Sequence, residues 1–188
     1  MDFIVAEMRH RLKNLSAVVR SVVANAKADD KATAMFKEAL LGRLDITFKA
    51  QEVAAHGEMA LFETLLKEAV GSTVSERFEY AGPSVELGGT AILPVSMILH
   101  ELATNAMKYG ALTEPEGIVR VTWEIKEEPD RRARLVCQWC EEGGPLVSQP
   151  ERRGYGTELI EGLAAHLGGS AELYYVPTGL SATFKIPM

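Results

Sequence analysis

From Phe3 to Ala26 the apolar residues Ile4, Met8, Leu12, Leu15, Val19, Val22 and Ala26 recur at steps of three and four, the spacing of one helix seam. The spacing predicts a long amphipathic helix. Ala28-Asp29-Asp30 interrupts it, and a second helical pattern runs through Phe36, Leu40, Leu44, Phe48 and Ala55 until His56-Gly57 closes it. Two helices alone bury one seam poorly. The hairpin, placed at 1–58, is therefore expected to pair with a second copy as half of a dimeric four-helix bundle.

Beyond Gly57 the pattern changes. A short helix over Leu61 to Val70 and extended pieces near Phe78 and Val85 precede a helix from about Val95 to Tyr109. Val119, Val121, Trp123 and Ile125 alternate with polar residues, as do Leu135, Cys137 and Trp139, and later Leu180, Ala182, Phe184 and Ile186. These read as three half-buried strands. A helix from Thr157 to Leu167, stopped by Gly168-Gly169, lies between the second and third. The fold class is α+β: an N-terminal antiparallel helical hairpin, then a sheet with helices on one face, an α/β sandwich over 59–188. No internal repeat or low-complexity tract interrupts it.

Composition narrows the function classes. A net charge of −6 argues against a phosphate-backbone binder, so nucleic acid is not an expected partner. No apolar run approaches the ~18 residues a membrane span requires, which predicts a soluble, non-exported chain with no membrane contact. The two cysteines form Cys137-x-x-Cys140, but on a strand residues three apart face opposite sides, so a metal or redox pair is not expected. Reduced, packed thiols fit a cytoplasmic protein.

Four segments carry candidate chemistry. In HELATNAMKYG the residues Glu101, Asn105 and Lys108 stand at offsets of four and three and share one helix stripe. Carboxylate and amide oxygens with an ammonium suit Mg²⁺ carrying phosphates; a solvated helix face is the alternative. In QWCEEGGP, Glu141 continues the inward phase of Leu135, Cys137 and Trp139 and is followed by Gly143-Gly144. Buried, it needs a donor such as the amino group of adenine, with the glycines letting a base approach; alternatively it reaches solvent at the strand end. RRGYGT sets Gly154 and Gly156 before the helix at Thr157, with Arg152 and Arg153 adding charge, an arrangement open to an anion. RHRLKN puts His10 between Arg9 and Arg11, with Asn14 one turn on. Nearby cations favour the neutral, nucleophilic imidazole and could hold a phosphate; a solvated basic face is the alternative.

These segments, in this order, resemble the histidine kinases of two-component signalling, and in detail the HWE family. RHRLKN resembles the phosphoacceptor box, HELATNAMKYG the N box with His100 at the family's histidine, WCEEGGP the W-x-E signature through Trp139 and Glu141, and RRGYGT the glycine box. The resemblance implies a dimerisation and phosphotransfer hairpin followed by a Bergerat-type ATP-binding domain. It implies a catalytic set of His10 as phosphoacceptor with Glu101 and Asn14, and Mg²⁺ held by Asn105 and Glu101, partly through water. ATP would be bound by Asn105, Lys108, Tyr109, Glu141, Gly143, Gly144, Arg153, Gly154, Gly156 and Thr157. The implied partners are a second copy of the chain and the receiver domain of a response regulator. Where many histidine kinases carry an acid directly after the phosphoacceptor, this chain has Arg11. A phosphotransfer adaptor without ATP binding and a Bergerat-type ATPase are the competing classes.

Overall fold

The computed structural model describes residues 2–55, 59–71, 76–127, 133–146, 154–177 and 179–188. Helices α1 (Asp2–Asn25) and α2 (Lys31–Ala55) form the expected hairpin. Asp30 starts α2: its Oδ1 accepts the Thr33 N–H at 2.8 Å and its Oδ2 the Thr33 hydroxyl at 2.8 Å. Those bonds hold its carboxyl below the usual carboxylate range. An Arg20–Asp45 pair at 3.0 Å bridges the two helices. The closing His56-Gly57 lies outside the described residues, as do the side chains of Ile4, Met8 and Leu12.

The seam differs from expectation over its described half. Val19 and Val23 are half-buried, whereas Leu15, Val18 and Val22 stay exposed at 59%, 58% and 67%. Phe36 on α2 is exposed as well. All of 39–48 is half-buried, because α2 packs against α1 and also against the helix Gly89–Lys108.

Beyond the hairpin follow β1 (Ala60–Leu61), α3 (Phe62–Val70), β2 (Phe78–Ala81), β3 (Glu86–Leu87), α4 (Gly89–Lys108), β4 (Ile118–Glu127), β5 (Ala133–Glu142), α5 (Tyr155–His166), β6 (Ser170–Val176) and β7 (Gly179–Pro187). Five strands form one sheet in the order β2-β4-β5-β7-β6, with only β2 and β4 parallel, while β1 and β3 make a separate pair. The inward phases of β4, β5 and β7 meet α3, α4 and α5 in one core built on Trp139, Phe62, Phe184, Ile98 and Leu102. Phe62 packs on Trp123 at 5.0 Å between ring centres, and Phe78 meets Trp139 edge-on at 5.5 Å.

The expected strands and helices are present, with three differences. Helix α4 begins at Gly89, upstream of Val95, and runs through buried Pro94. A proline in the second turn forfeits one backbone bond, and here the helix tolerates it because its apolar face is buried. Strand β6 was not anticipated: it is an edge strand alternating half-buried with exposed residues, so its apolar contrast is weak. The dipeptide strand β1 is likewise too short for a periodic signal. Cys137 is buried and Cys140 half-buried, both reduced; burial pushes the Cys137 thiol well up.

Candidate functional site

The stripe on α4 lines an open cavity of about 550 Å³. Glu101, Asn105 and Lys108 face it from α4, Tyr109 from the residue after that helix, and Gly154, Tyr155 and Gly156 from the start of α5. Helices α4 and α5 meet closely: a Cβ built at Gly156 would lie 3.1 Å from Glu101 Oε2 and 3.5 Å from Asn105 Nδ2. Glycine at 156 thus keeps the stripe open. No side chain caps α5, which begins after Gly154. Among the described residues, the Asn105 amide and the Lys108 ammonium make no hydrogen bond or ion pair. An unbonded amide, an unpaired cation and an uncapped helix start facing one cavity suit a phosphate with its Mg²⁺.

Glu101 is differently placed. It is only 4% exposed, and both its oxygens are taken by Arg43 of α2, Oε1 by Nε at 2.7 Å and Oε2 by Nη2 at 2.8 Å. The same guanidinium lies over the Tyr155 ring at 4.8 Å. The Glu101 bond raises the Arg43 pKa further. One residue earlier, Gly42 abuts His100, whose Nε2 would stand 3.0 Å from a Cβ at that position. Burial lowers the pKa of His100, as do Arg43 and Lys108, against Glu101 and Asp45. Sequence reasoning missed Arg43 because its partner is 58 residues away.

Glu141 is also 4% exposed, so it does not reach solvent, but it does not line the cavity either. Its Oε2 accepts the Ala111 N–H at 2.9 Å and its Oε1 the Trp139 indole N–H at 3.2 Å. The W-x-E pair is therefore an internal bond on one strand face, holding the chain that leaves α4. Burial raises the Glu141 pKa against both donors. The glycines after it serve that same packing: a Cβ at Gly144 would come within 2.6 Å of the Ala111 Cα, and Gly143 has φ +73. Room expected for a base at these two positions is filled by the chain's own backbone. Thr157 also stands apart from the cavity, its hydroxyl 3.1 Å from that of Tyr175. Arg152 and Arg153 lie outside the described residues.

His10 is exposed on α1 and does not line the cavity. Its Nδ1 lies 3.3 Å from the Asn14 amide one turn on. Arg11, next to it, pairs with Glu7 at 2.8 Å.

Residues 7–84 match the model of the HWE histidine kinase family. The blue-light-activated histidine kinase 1 of Erythrobacter litoralis is 32% identical over 195 residues, covering 98% of this chain and 53% of that protein. The blue-light-activated histidine kinase of Brucella anthropi is 31% identical over 192 residues, covering 98% of this chain and 39% of that protein. The chain thus spans about half the length, or less, of these curated relatives. The histidine kinase domain of the Erythrobacter litoralis EL346 blue-light activated histidine kinase shares the fold, with a TM-score of 0.54 at 13% identity over 97% of this chain and 95% of that domain. Among the described residues no helix is long and apolar enough to cross a membrane. With residues 7–84 matching the family model and relatives named histidine kinases 31–32% identical over 98% of its length, the chain belongs to the HWE histidine kinases.

Proposed function

We propose that the chain transfers the γ-phosphoryl group of ATP to His10, within a phosphotransfer hairpin at 1–58, using a catalytic domain at 59–188. The phosphoryl group then passes to an aspartate of a response regulator receiver domain. The observation that carries this reading is the convergence on one cavity of Asn105 and Lys108, which have no hydrogen bond or ion pair among the described residues, with the uncapped, glycine-fronted start of α5. Phosphoryl transfer asks a protein mainly for positioning and charge neutralisation, and those groups supply both.

Asn105 and Glu101 would hold Mg²⁺, Glu101 partly through water, while Lys108, Gly154 and Gly156 take the phosphates and Tyr109 flanks the nucleotide. Mg²⁺ held there would supply charge neutralisation for the transferring phosphate. Glu141 keeps unused lone pairs beyond its two internal bonds, and the amino group of adenine is the donor assigned to them. At His10 the Asn14 amide can turn so that its oxygen accepts the Nδ1 proton. That tautomer leaves the Nε2 lone pair for attack on phosphorus, the P–N bond forming as the P–O bond to ADP breaks. No acid directly after His10 is needed for this. The exposed stripe of Leu15, Val18, Val22 and Phe36 supports a homodimer through the hairpin, since a second copy would cover it.

Incubation with γ-labelled ATP tests the reading: acid-labile label should appear on the wild-type protein and be absent from His10→Ala, with nucleotide affinity nearly unchanged. Label that persists in His10→Ala would refute the assignment, and free phosphate alone would mean an ATPase.

A further inference from the structure

Helix α2 has no part in nucleotide binding under the reading above, yet it forms one wall of the nucleotide cavity through Glu38, Ala39, Gly42 and Arg43. It adds a carboxylate, Glu38, to a cavity otherwise suited to anions. Its Arg43 occupies both oxygens of Glu101 in a two-pronged pair whose side chains are only 18% and 6% exposed. The same guanidinium covers Tyr155 at the first residue of α5, so one side chain ties α4 and α5 to the hairpin. The fit depends on Gly42, where His100 fills the space a side chain would need.

The guanidinium takes one lone pair on each Glu101 oxygen and sets a full positive charge against the carboxylate, so a divalent cation brought to the same buried carboxylate meets like charge at close range. We infer that docked α2 and Mg²⁺·nucleotide compete for Glu101, so that Arg43 and Gly42 form a latch opposing nucleotide binding. This rests on the proposed nucleotide site. The coupling is reciprocal: docking weakens nucleotide binding by the factor by which nucleotide weakens docking.

The test titrates Mg²⁺·AMP-PNP, a non-hydrolysable ATP analogue, into the full chain by calorimetry. It compares wild type, Arg43→Gln and Gly42→Leu, after circular dichroism has confirmed that each folds. Arg43→Gln leaves Glu101 buried without its partner, so Gly42→Leu, which wedges α2 off His100 and keeps both charges, carries the test independently. Both variants should bind about fivefold tighter or more. Without nucleotide, amide hydrogen exchange over 39–50 should rise in both variants; in wild type the analogue itself should raise it. Equal or weaker binding by the folded variants, or exchange in α2 that the analogue leaves unchanged, would overturn the latch alone. No binding by any of the three proteins would overturn the nucleotide site and the latch together.

Discussion

Two glutamates, Glu101 on α4 and Glu141 at the end of β5, are equally buried at 4% exposure, yet they are satisfied in opposite ways. Glu101 is met by a full cation from another element, 58 residues away, at the mouth of a cavity. Glu141 is met by two neutral N–H donors, one of them two residues away on its own strand. A charged partner on a separate helix can leave as a unit with that helix. Neutral donors built into the sheet and the α4 exit cannot. The first region therefore suits a site that changes partners, and the second a site that holds its geometry while the first changes.

Substitution by glutamine should separate the two. Glu101→Gln is expected to lower the rate of His10 labelling by about a hundredfold or more, the usual cost of losing a positioned acid, base or metal contact. A labelling rate within a few-fold of wild type would erase the functional half of the comparison. Glu141→Gln should instead act on the fold: a single amide oxygen can accept from Ala111 or from the Trp139 indole, and the amide nitrogen then faces the other donor. The loss is about 1–3 kcal/mol, read as a lower midpoint in denaturant. With the charged acceptor gone, the preference for ATP over GTP should narrow as well, and an unchanged ratio in competition binding would mean that another residue reads the base.

The contrast also marks what the sequence could disclose. The inward phase of Leu135, Cys137, Trp139 and Glu141 follows from strand alternation, and all four are buried. That Glu101, Asn105 and Lys108 share one stripe follows from helical spacing, and all three line the same cavity. Arg43 had no such local signal, because a helix carrying partners on two sides has no clean polar face on which an arginine would stand out. The role of Gly144 was misjudged for a related reason. A glycine announces close approach without saying of what, and here it is the Ala111 backbone that approaches.

The pH dependence of stability gives a smaller and opposed pair of effects. Burial raises the Glu141 pKa above its ordinary 4.5, so its favourable contribution is complete below 4.5 and is lost as pH rises through the folded value. His100 sits below its ordinary 6.5, chiefly through burial, so stability is lost as pH falls from 6.5. Each is worth about 1.4 kcal/mol per unit of displacement. In wild type the two slopes oppose each other between these values. His100→Asn should leave the Glu141 slope, with stability rising on acidification, and Glu141→Gln should leave the His100 slope, with stability falling. Denaturation midpoints collected from pH 4.5 to 7 that show the same slope in both variants would contradict the assignment.

The smallest effect is expected one residue further along. Glu142 follows Glu141 on β5 but in the opposite phase, so it is exposed on the face away from the helices. Its Oε1 lies 2.7 Å from Nη1 of Arg120, a pair with side chains 51% and 43% exposed. Arg120 also meets Glu79 at 3.0 Å, so it stays paired when Glu142 is neutralised. Exposed pairs contribute about 0–1 kcal/mol and are screened by salt, and a gain from one remaining partner offsets part of that. Glu142→Gln should therefore shift stability by less than about 0.5 kcal/mol and leave the ATP to GTP ratio unaltered. The same chemical change at adjacent positions then gives two outcomes, and strand phase is the only difference between them. A Glu142→Gln protein that loses as much stability as Glu141→Gln would show that burial on the inner face is not what sets the cost.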